Sequence, residues 1–174
     1  MDKRSGHLTL AKKVVEQFQS MPGVEAIALG GSQTRGSMDE HSDIDLYIYS
    51  SEIIPLTKRQ ALVEKLGARN ADMNLTFWDL GDEWFDLETG IEIDVMYWDP
   101  VWIEDQLNRV LVLHQANRGY TTCFWHTVLN SEIMFDRHGW FGYLQEKCKQ
   151  PYPEELKWAI LAKNHPVFNL YKSK

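Results

Sequence analysis

Two aspartates stand two positions apart at the start of a segment with strand-like alternation. Asp43 and Asp45 begin the stretch that continues through residues 44–49, where apolar and polar residues alternate. Successive side chains of a strand point to opposite faces, so we expect both carboxylates on the same face. Neighbouring carboxylates repel each other unless a cation lies between them. The spacing therefore favours a divalent cation site.

A third acid, Asp94, interrupts the apolar alternation of residues 91–98. If this segment pairs beside the strand that carries Asp43 and Asp45, three carboxylates converge. Mg²⁺ prefers carboxylate and phosphate oxygens as ligands. Two such ions about 4 Å apart can stabilise both the attacking and the leaving oxygen of a phosphoryl displacement. The three acids thus indicate metal-dependent phosphoryl chemistry.

Glu92 competes with Asp94 for the third position. The two acids are two residues apart and share a face of the predicted strand, so either can be the ligand. We favour Asp94 because Ile93 and Val95, both residues of a buried type, flank it directly.

A glycine-bearing loop precedes these acids. An apolar run leads into Gly30, Gly31 and Ser32. Without side chains, backbone N–H groups can approach an anion closely, and a serine hydroxyl adds one more donor. This pattern is typical of a phosphate cradle.

Hydrophobic periodicity and turn residues predict the elements that position these residues. The first half reads as helix, strand, strand, helix, strand and strand, at residues 7–21, 24–29, 44–49, 56–68, 73–78 and 91–98. Beyond Pro100 the pattern is helical, at about 101–117, 121–134, 138–149 and 153–164. We therefore predict an α/β fold, with a short mixed β-sheet flanked by helices in residues 1–99 and an all-helical region in residues 100–174. The acidic run at 79–88 is predicted to be a solvated connection, or alternatively the lining of a cleft.

Composition limits the classes of partner. The 174 residues carry 18 Lys and Arg against 25 Asp and Glu, a formal charge of -7. This balance opposes binding to duplex nucleic acid and favours a cationic ligand. The sequence has neither an 18-residue apolar window nor an apolar N-terminus, so we expect a cytoplasmic protein without membrane contact. Cys123 and Cys148 are predicted to be free thiols.

These motifs together resemble the signature of the nucleotidyltransferase superfamily, the fold shared by polymerase-beta-like and antibiotic-modifying nucleotidyltransferases. The matching residues are Gly31-Ser32, then after ten residues Asp43-Ile44-Asp45-Leu46, and later Asp94. The resemblance covers residues 1 to about 99. Residues 130–141 are similar to the helical continuation of bacterial members related to kanamycin and lincosamide nucleotidyltransferases.

The resemblance implies Mg²⁺-dependent transfer of a nucleoside monophosphate, expected to be AMP from ATP, to a hydroxyl group, with release of pyrophosphate. The acceptor would be a small molecule such as an aminoglycoside- or lincosamide-like antibiotic. One alternative is a protein AMP transferase or a nucleotidyltransferase-type antitoxin that acts on a partner protein. Another is a nucleotide-binding module without turnover.

The resemblance also implies roles for single residues. The acids Asp43, Asp45 and Asp94 would be catalytic and would ligate two Mg²⁺ ions. The loop residues Gly30, Gly31 and Ser32 would hold the triphosphate. Arg35 either contacts a phosphate or caps a surface turn, and Ser42 bonds either the loop backbone or the nucleotide.

The C-terminal region adds two expectations. Apolar residues of the last predicted helix lack a partner helix in the same chain, which favours a homodimer through the helical region. These residues are Trp158, Ile160, Leu161, Phe168 and Tyr171. Glu132 and Asp136 are either a general base facing the acceptor hydroxyl or ordinary surface acids of a helix.

Overall fold

The computed structural model describes residues 3–30, 43–77 and 79–171, with side chains described between residues 6 and 165. Within these ranges the chain forms α1 (Lys3–Phe18), β1 (Val24–Leu29), β2 (Ile44–Ser50), α2 (Leu56–Lys65), β3 (Ala68–Leu75), β4 (Gly81–Asp86), β5 (Glu92–Trp98), α3 (Pro100–Leu111), α4 (Cys123–Asn130), β6 (Glu132–Asp136), α5 (Trp140–Cys148) and α6 (Glu154–Tyr171).

The six strands form one mixed sheet in the order β3-β4-β5-β2-β1-β6. The central strands β2 and β5 are parallel, and every other neighbouring pair is antiparallel. The predicted mixed sheet flanked by helices is confirmed.

One face of the sheet is buried in a hydrophobic core with residues of α1 and α2. The first helix contributes an apolar stripe that includes Val14 and Phe18, both fully buried. In β2 and β5 the alternate residues Ile44, Leu46 and Val95 belong to the same core. Because side chains alternate along a strand, the residues between them lie on the opposite face. The acids predicted from the sequence are among those residues.

The acidic run at 79–88 is not merely a solvated connection, because most of it forms β4. Asp82 and Trp84 are buried on the core side, and Glu83 and Phe85 are half-buried. The strand pairs with both β3 and β5. The buried charge of Asp82 is compensated by Arg59 of α2, a contact between residues far apart in the sequence.

Three predicted boundaries also differ from the structure. Residues 132–136, expected at the end of a helix over 121–134, form β6, whose apolar residues pair with β1. The third strand begins at Ala68, directly after Gly67 turns the chain at φ +78°. Helix α3 ends at Leu111, and His114 shortly after it has φ +50°, which a helix does not accommodate.

The chain divides into two compact units. One unit comprises residues 1–100 and 130–142 and contains the sheet, and the other comprises residues 101–129 and 143–174. In the second unit, Trp125 packs against Tyr152, and its indole N–H donates to the carbonyl of Cys148 at 2.9 Å. Both cysteines are free thiols, as predicted, and burial raises the pKa of Cys148 to about 11. No helix among the described residues is long and apolar enough to cross a membrane.

Candidate functional site

A row of acids crosses the middle of the sheet on the face opposite the helix-covered core. Asp45 of β2 is in register with Asp94 of β5, and Asp94 is in register with Glu83 of β4. Neighbouring strands lie about 4.8 Å apart, and residues in register point to the same face. The predicted pairing of the two aspartate-bearing strands is confirmed, and the structure adds Glu83 to the row.

The local sequence explains why these acids share a face. Asp45 lies between Ile44 and Leu46, which are buried in the core. Asp94 lies in the same way between the buried residues Ile93 and Val95. The apolar neighbours fix the core-facing side of each strand, so both carboxylates are directed to the other face.

Burial and neighbouring acids raise the pKa values of Asp45 and Asp94. Burial, followed by the charges of Asp43 and Asp94, raises the pKa of Asp45 to about 6. Burial, followed by the charges of Glu83 and Asp43, also raises the pKa of Asp94. Asp43 is exposed just before β2, and its charge acts on both aspartates. The folded protein therefore disfavours the charged form of both aspartates.

Glu92 lies next to the acid row, two residues before Asp94 in β5. It is in register with Phe85 and forms a side-chain hydrogen bond with Glu83. That hydrogen bond, then burial, then the charges of Glu83, Asp43 and Asp94 raise the pKa of Glu92 to about 7. A hydrogen bond between two carboxyl groups needs a proton on one of them. The register shows independently that Asp94, and not Glu92, is the acid of β5 beside Asp45.

The donor set fits a hard divalent cation in its chemistry. Carboxylate oxygens are the ligands that Mg²⁺ prefers, and a cation would offset both the burial and the repulsion that raise the pKa values of Asp45 and Asp94. Among the residues that the structure describes, no three His, Cys, Asp or Glu side chains are arranged to hold a metal ion. The fit therefore rests on donor type, shared face and excess charge.

Gly30 directly follows β1, beside the acid row. Its N–H donates to the carbonyl oxygen of Asp45 at 2.9 Å, which continues the pairing of β1 with β2. A Cβ atom on Gly30 would lie 2.3 Å from a ring carbon of Tyr47, and that ring is stacked on Trp98 with centroids 4.8 Å apart. A glycine is thus needed here for close packing.

The other predicted loop residues, Gly31, Ser32, Arg35 and Ser42, lie outside the described residues. Their predicted contacts with phosphate stay predictions.

Gly30→Ala is expected to destabilise the protein by about 1–3 kcal/mol, because the added methyl group overpacks the ring of Tyr47. Gly6→Ala is the matched control. No atom lies within 4 Å of the Cβ position there, so alanine should stabilise α1 by about 0.5–1 kcal/mol. Urea denaturation of both variants measures the difference. Equal stability of the two variants would contradict the packing role of Gly30.

Glu132 and Asp136 lie on β6 and not on a helix. Asp136 is in register with Ala26, whose other partner is Tyr49, four residues beyond Asp45 in β2. That offset corresponds to about 13 Å along the strand. A carboxylate oxygen of Asp136 accepts from the N–H of Gly142 at 2.9 Å in the first turn of α5. The contact is typical of a helix cap.

A buried polar network lies on the core side of β4, directly behind Glu83. The carboxylate of Asp82 pairs with the guanidinium of Arg59. The same carboxylate accepts from the backbone N–H of Asn74 at 2.8 Å and from the hydroxyl of Tyr97 at 2.7 Å. Residues of α2, β3 and β5 thereby hold β4 at the register that places Glu83 beside Asp94.

Sequence reasoning missed Glu83 because it treated the acidic run as a connection. A signal was present: the order Asp82-Glu83-Trp84-Phe85-Asp86 carries two adjacent aromatic residues, which are enriched in strands.

Comparison with known proteins gives one match to a family. The model of the nucleotidyltransferase domain matches residues 11–110, which is more than half of the chain. No curated protein matches.

Two solved structures are similar at low sequence identity. One is a nucleotidyltransferase-like protein from Exiguobacterium sibiricum 255-15, at 16% identity and a TM-score of 0.47, with 84% of this chain and 39% of that chain covered. The other is a toxin–antitoxin with AMP-PNP, at 13% identity and a TM-score of 0.45, with 94% of this chain and 97% of that chain covered. The chain thus spans about two fifths of the length of the first structure.

Proposed function

We propose that this chain, which belongs to the nucleotidyltransferase domain family, transfers a nucleoside monophosphate from a nucleoside triphosphate to a hydroxyl group and releases pyrophosphate. Membership of the superfamily expected from the sequence is confirmed by the family match. The family generally uses a nucleoside triphosphate and a divalent metal. The proposal extends this chemistry to the acids of this chain.

The register of Asp45 with Asp94 is the observation that carries the proposal. It places two carboxylates side by side on adjacent parallel strands, on the face opposite the helix-covered core. Burying these carboxylates costs stability, because burial raises both pKa values and the charge of Asp94 adds to the rise for Asp45. A cation bound between the carboxylates would offset this cost in stability, and strongly perturbed pKa values are typical of functional sites.

The positions of the acids support a role for each in this proposal. Asp43, Asp45 and Asp94 would hold Mg²⁺, which would supply positive charge to the phosphoryl oxygens of the nucleotide. Glu83 stands on the far side of Asp94, and its charge adds to burial in raising the pKa of that carboxyl. The buried polar network around Asp82 holds β4 in place, and therefore also Glu83.

Gly30, Gly31 and Ser32 hold the triphosphate in this proposal, and Arg35 and Ser42 lie between this loop and the acids in the sequence. The acceptor is a small hydroxylated molecule, and the net charge of -7 favours a cationic one. An aminoglycoside- or lincosamide-like antibiotic has the required hydroxyl groups. The donor we propose is ATP, with AMP as the group transferred.

Release of pyrophosphate is the experiment that tests this function. The purified protein is incubated with ATP and Mg²⁺, alone, with a panel of aminoglycosides and lincosamides, and with a cell extract as a source of protein acceptors. Transfer of label from [α-³²P]ATP to a small molecule supports the proposal. Label on a protein would instead support the protein AMP transferase alternative. Nucleotide binding without pyrophosphate release in any arm would indicate a module without turnover.

Glu16→Gln is a matched control for the acid variants in this assay. Glu16 is an exposed acid of α1, the helix that packs on the face of the sheet opposite the acid row. We expect its rate to stay within about twofold of the wild type, because surface substitutions away from a site have small effects. A large loss in this control would mean that the assay reports general damage and not the acid row.

A further inference from the structure

The helical unit carries a groove with a volume of about 550 Å³. Its walls come from α3 and from the end of α5. The floor is apolar and consists of the buried residues Leu107, Leu111, Leu144 and Cys148. Along α3 the lining extends from residue 101 to residue 112, which corresponds to about 16 Å of helix. The groove is therefore long enough to receive two or three turns of another helix.

The rim of this groove exposes apolar side chains. Val101 is 77% exposed and Val112 is 64% exposed, one near each end of the lining. Solvent-exposed valines around an apolar floor are typical of a surface that another molecule covers.

The last helix of the same unit exposes side chains of a matching kind. Trp158 is 62% exposed and Leu161 is 50% exposed, and residues three apart lie on the same face of a helix. Of the other residues predicted to lack a partner, Ile160 is half-buried, and the side chains of Phe168 and Tyr171 lie outside the described ones. A large aromatic side chain near the centre of an interface is the commonest kind of binding hot spot.

The charges around the two surfaces are complementary. Glu104 and Asp105 line the groove on the α3 side, and Lys147 lines it on the α5 side. On α6, Lys157 is next to Trp158, and Glu154 lies one helical turn before it. The contact of Lys157 with Glu154, at 3.2 Å, is an exposed ion pair, and such pairs are weak enough to exchange partners.

We propose that the groove between α3 and α5 receives α6 of a second copy of this chain. In a twofold dimer the contact forms twice, since each copy supplies one groove and one helix. Trp158 and Leu161 pack on the apolar floor, Lys157 meets Glu104 and Asp105, and Glu154 meets Lys147. This inference concerns assembly and stands independently of the proposed transfer reaction.

Sedimentation equilibrium over a range of protein concentrations tests the proposal. The wild-type chain is expected to dimerise. Trp158→Ser removes the aromatic side chain from the helix, and Val112→Lys places a charge at the rim of the groove. Each should weaken dimerisation by roughly 30-fold or more. Both positions are exposed, so circular dichroism should show folded protein in each case.

Ile53→Ser is the matched control, because Ile53 is 89% exposed but belongs to the unit that contains the sheet. Its dimer dissociation constant should equal that of the wild type. A wild-type protein that stays monomeric at every concentration would overturn the proposal. So would dimerisation that neither Trp158→Ser nor Val112→Lys weakens.

Mixing the two defective variants distinguishes a helix-in-groove contact from pairing of two α6 helices. One chain of the mixture keeps an intact groove and the other keeps an intact α6, so one of the two contacts can form. Association of the mixture should therefore be stronger than that of either variant alone. Pairing through α6 alone predicts no recovery, and that result would contradict the proposal.

Discussion

Asp45→Asn is expected to lower the rate of nucleotidyl transfer by roughly 100-fold or more, on the order of 3 kcal/mol, while it stabilises the metal-free protein. The loss of rate follows from the proposed removal of a metal ligand. The gain in stability follows from the removal of a half-buried charge beside two other acids. Asp94→Asn should behave in the same way, because Asp94 is the register partner of Asp45.

The stability effect depends on pH with a defined sign. The pKa of Asp45 rises from 3.8 to about 6 in the folded protein, so the folded state holds this proton more tightly than the unfolded state. The stability of the wild type should therefore fall as the pH rises from about 4 to 6. Asp45→Asn removes this dependence and should add about 1–3 kcal/mol at neutral pH and little at pH 4.

Thermal denaturation in EDTA at pH 4 and pH 7, together with the transfer assay in Mg²⁺, measures both effects. The control Glu16→Gln should change neither. Wild-type turnover by Asp45→Asn, or an equal loss of stability at both pH values, would refute the role assigned to this carboxylate.

Arg59→Met is expected to give the largest loss of stability of any substitution considered, about 3–5 kcal/mol. Arg59 is 2% exposed and forms an ion pair with Asp82, which has no exposed surface. Its side chain also donates to the carbonyl of Ile54 at 3.2 Å and lies over the ring of Tyr97 at 4.9 Å. Removal of the guanidinium leaves the carboxylate of Asp82 buried without its cation.

Two further variants separate the buried charge from simple loss of contacts. Arg109→Met breaks an exposed ion pair with Asp105 and should cost less than about 1 kcal/mol. Arg59→Met combined with Asp82→Leu removes both charges and should be more stable than Arg59→Met alone. Urea denaturation measures all three. A loss of stability in Arg59→Met no larger than that in Arg109→Met would contradict the stabilising role of the buried network.

The acid row was predictable because its signal is local. Asp45 and Asp94 each interrupt an apolar alternation, and that alternation alone fixes which way the carboxylate points. To predict that the two aspartates lie side by side, one further assumption was needed, that their strands are neighbours. The register confirms that the strands pair.

The contribution of β4 was not predictable in this way. Asp82 looks like a surface acid until Arg59, Asn74 and Tyr97 are brought to it by other elements. Strand β6 was also not predictable, because five residues are too few to show a periodic pattern. These residues form a strand by pairing with β1. Elements whose stability comes from partners distant in the sequence leave little trace in their own residues.

Titration of Mn²⁺ into the protein in the presence of a non-hydrolysable nucleoside triphosphate, followed by electron paramagnetic resonance of the free ion, tests the central claim most directly. Mn²⁺ accepts the same oxygen ligands as Mg²⁺. We expect tight, stoichiometric binding by the wild type and by Glu16→Gln, and binding at least about 10-fold weaker in Asp45→Asn and in Asp94→Asn. Equal Mn²⁺ affinity in all four proteins would contradict a metal site on the acid row.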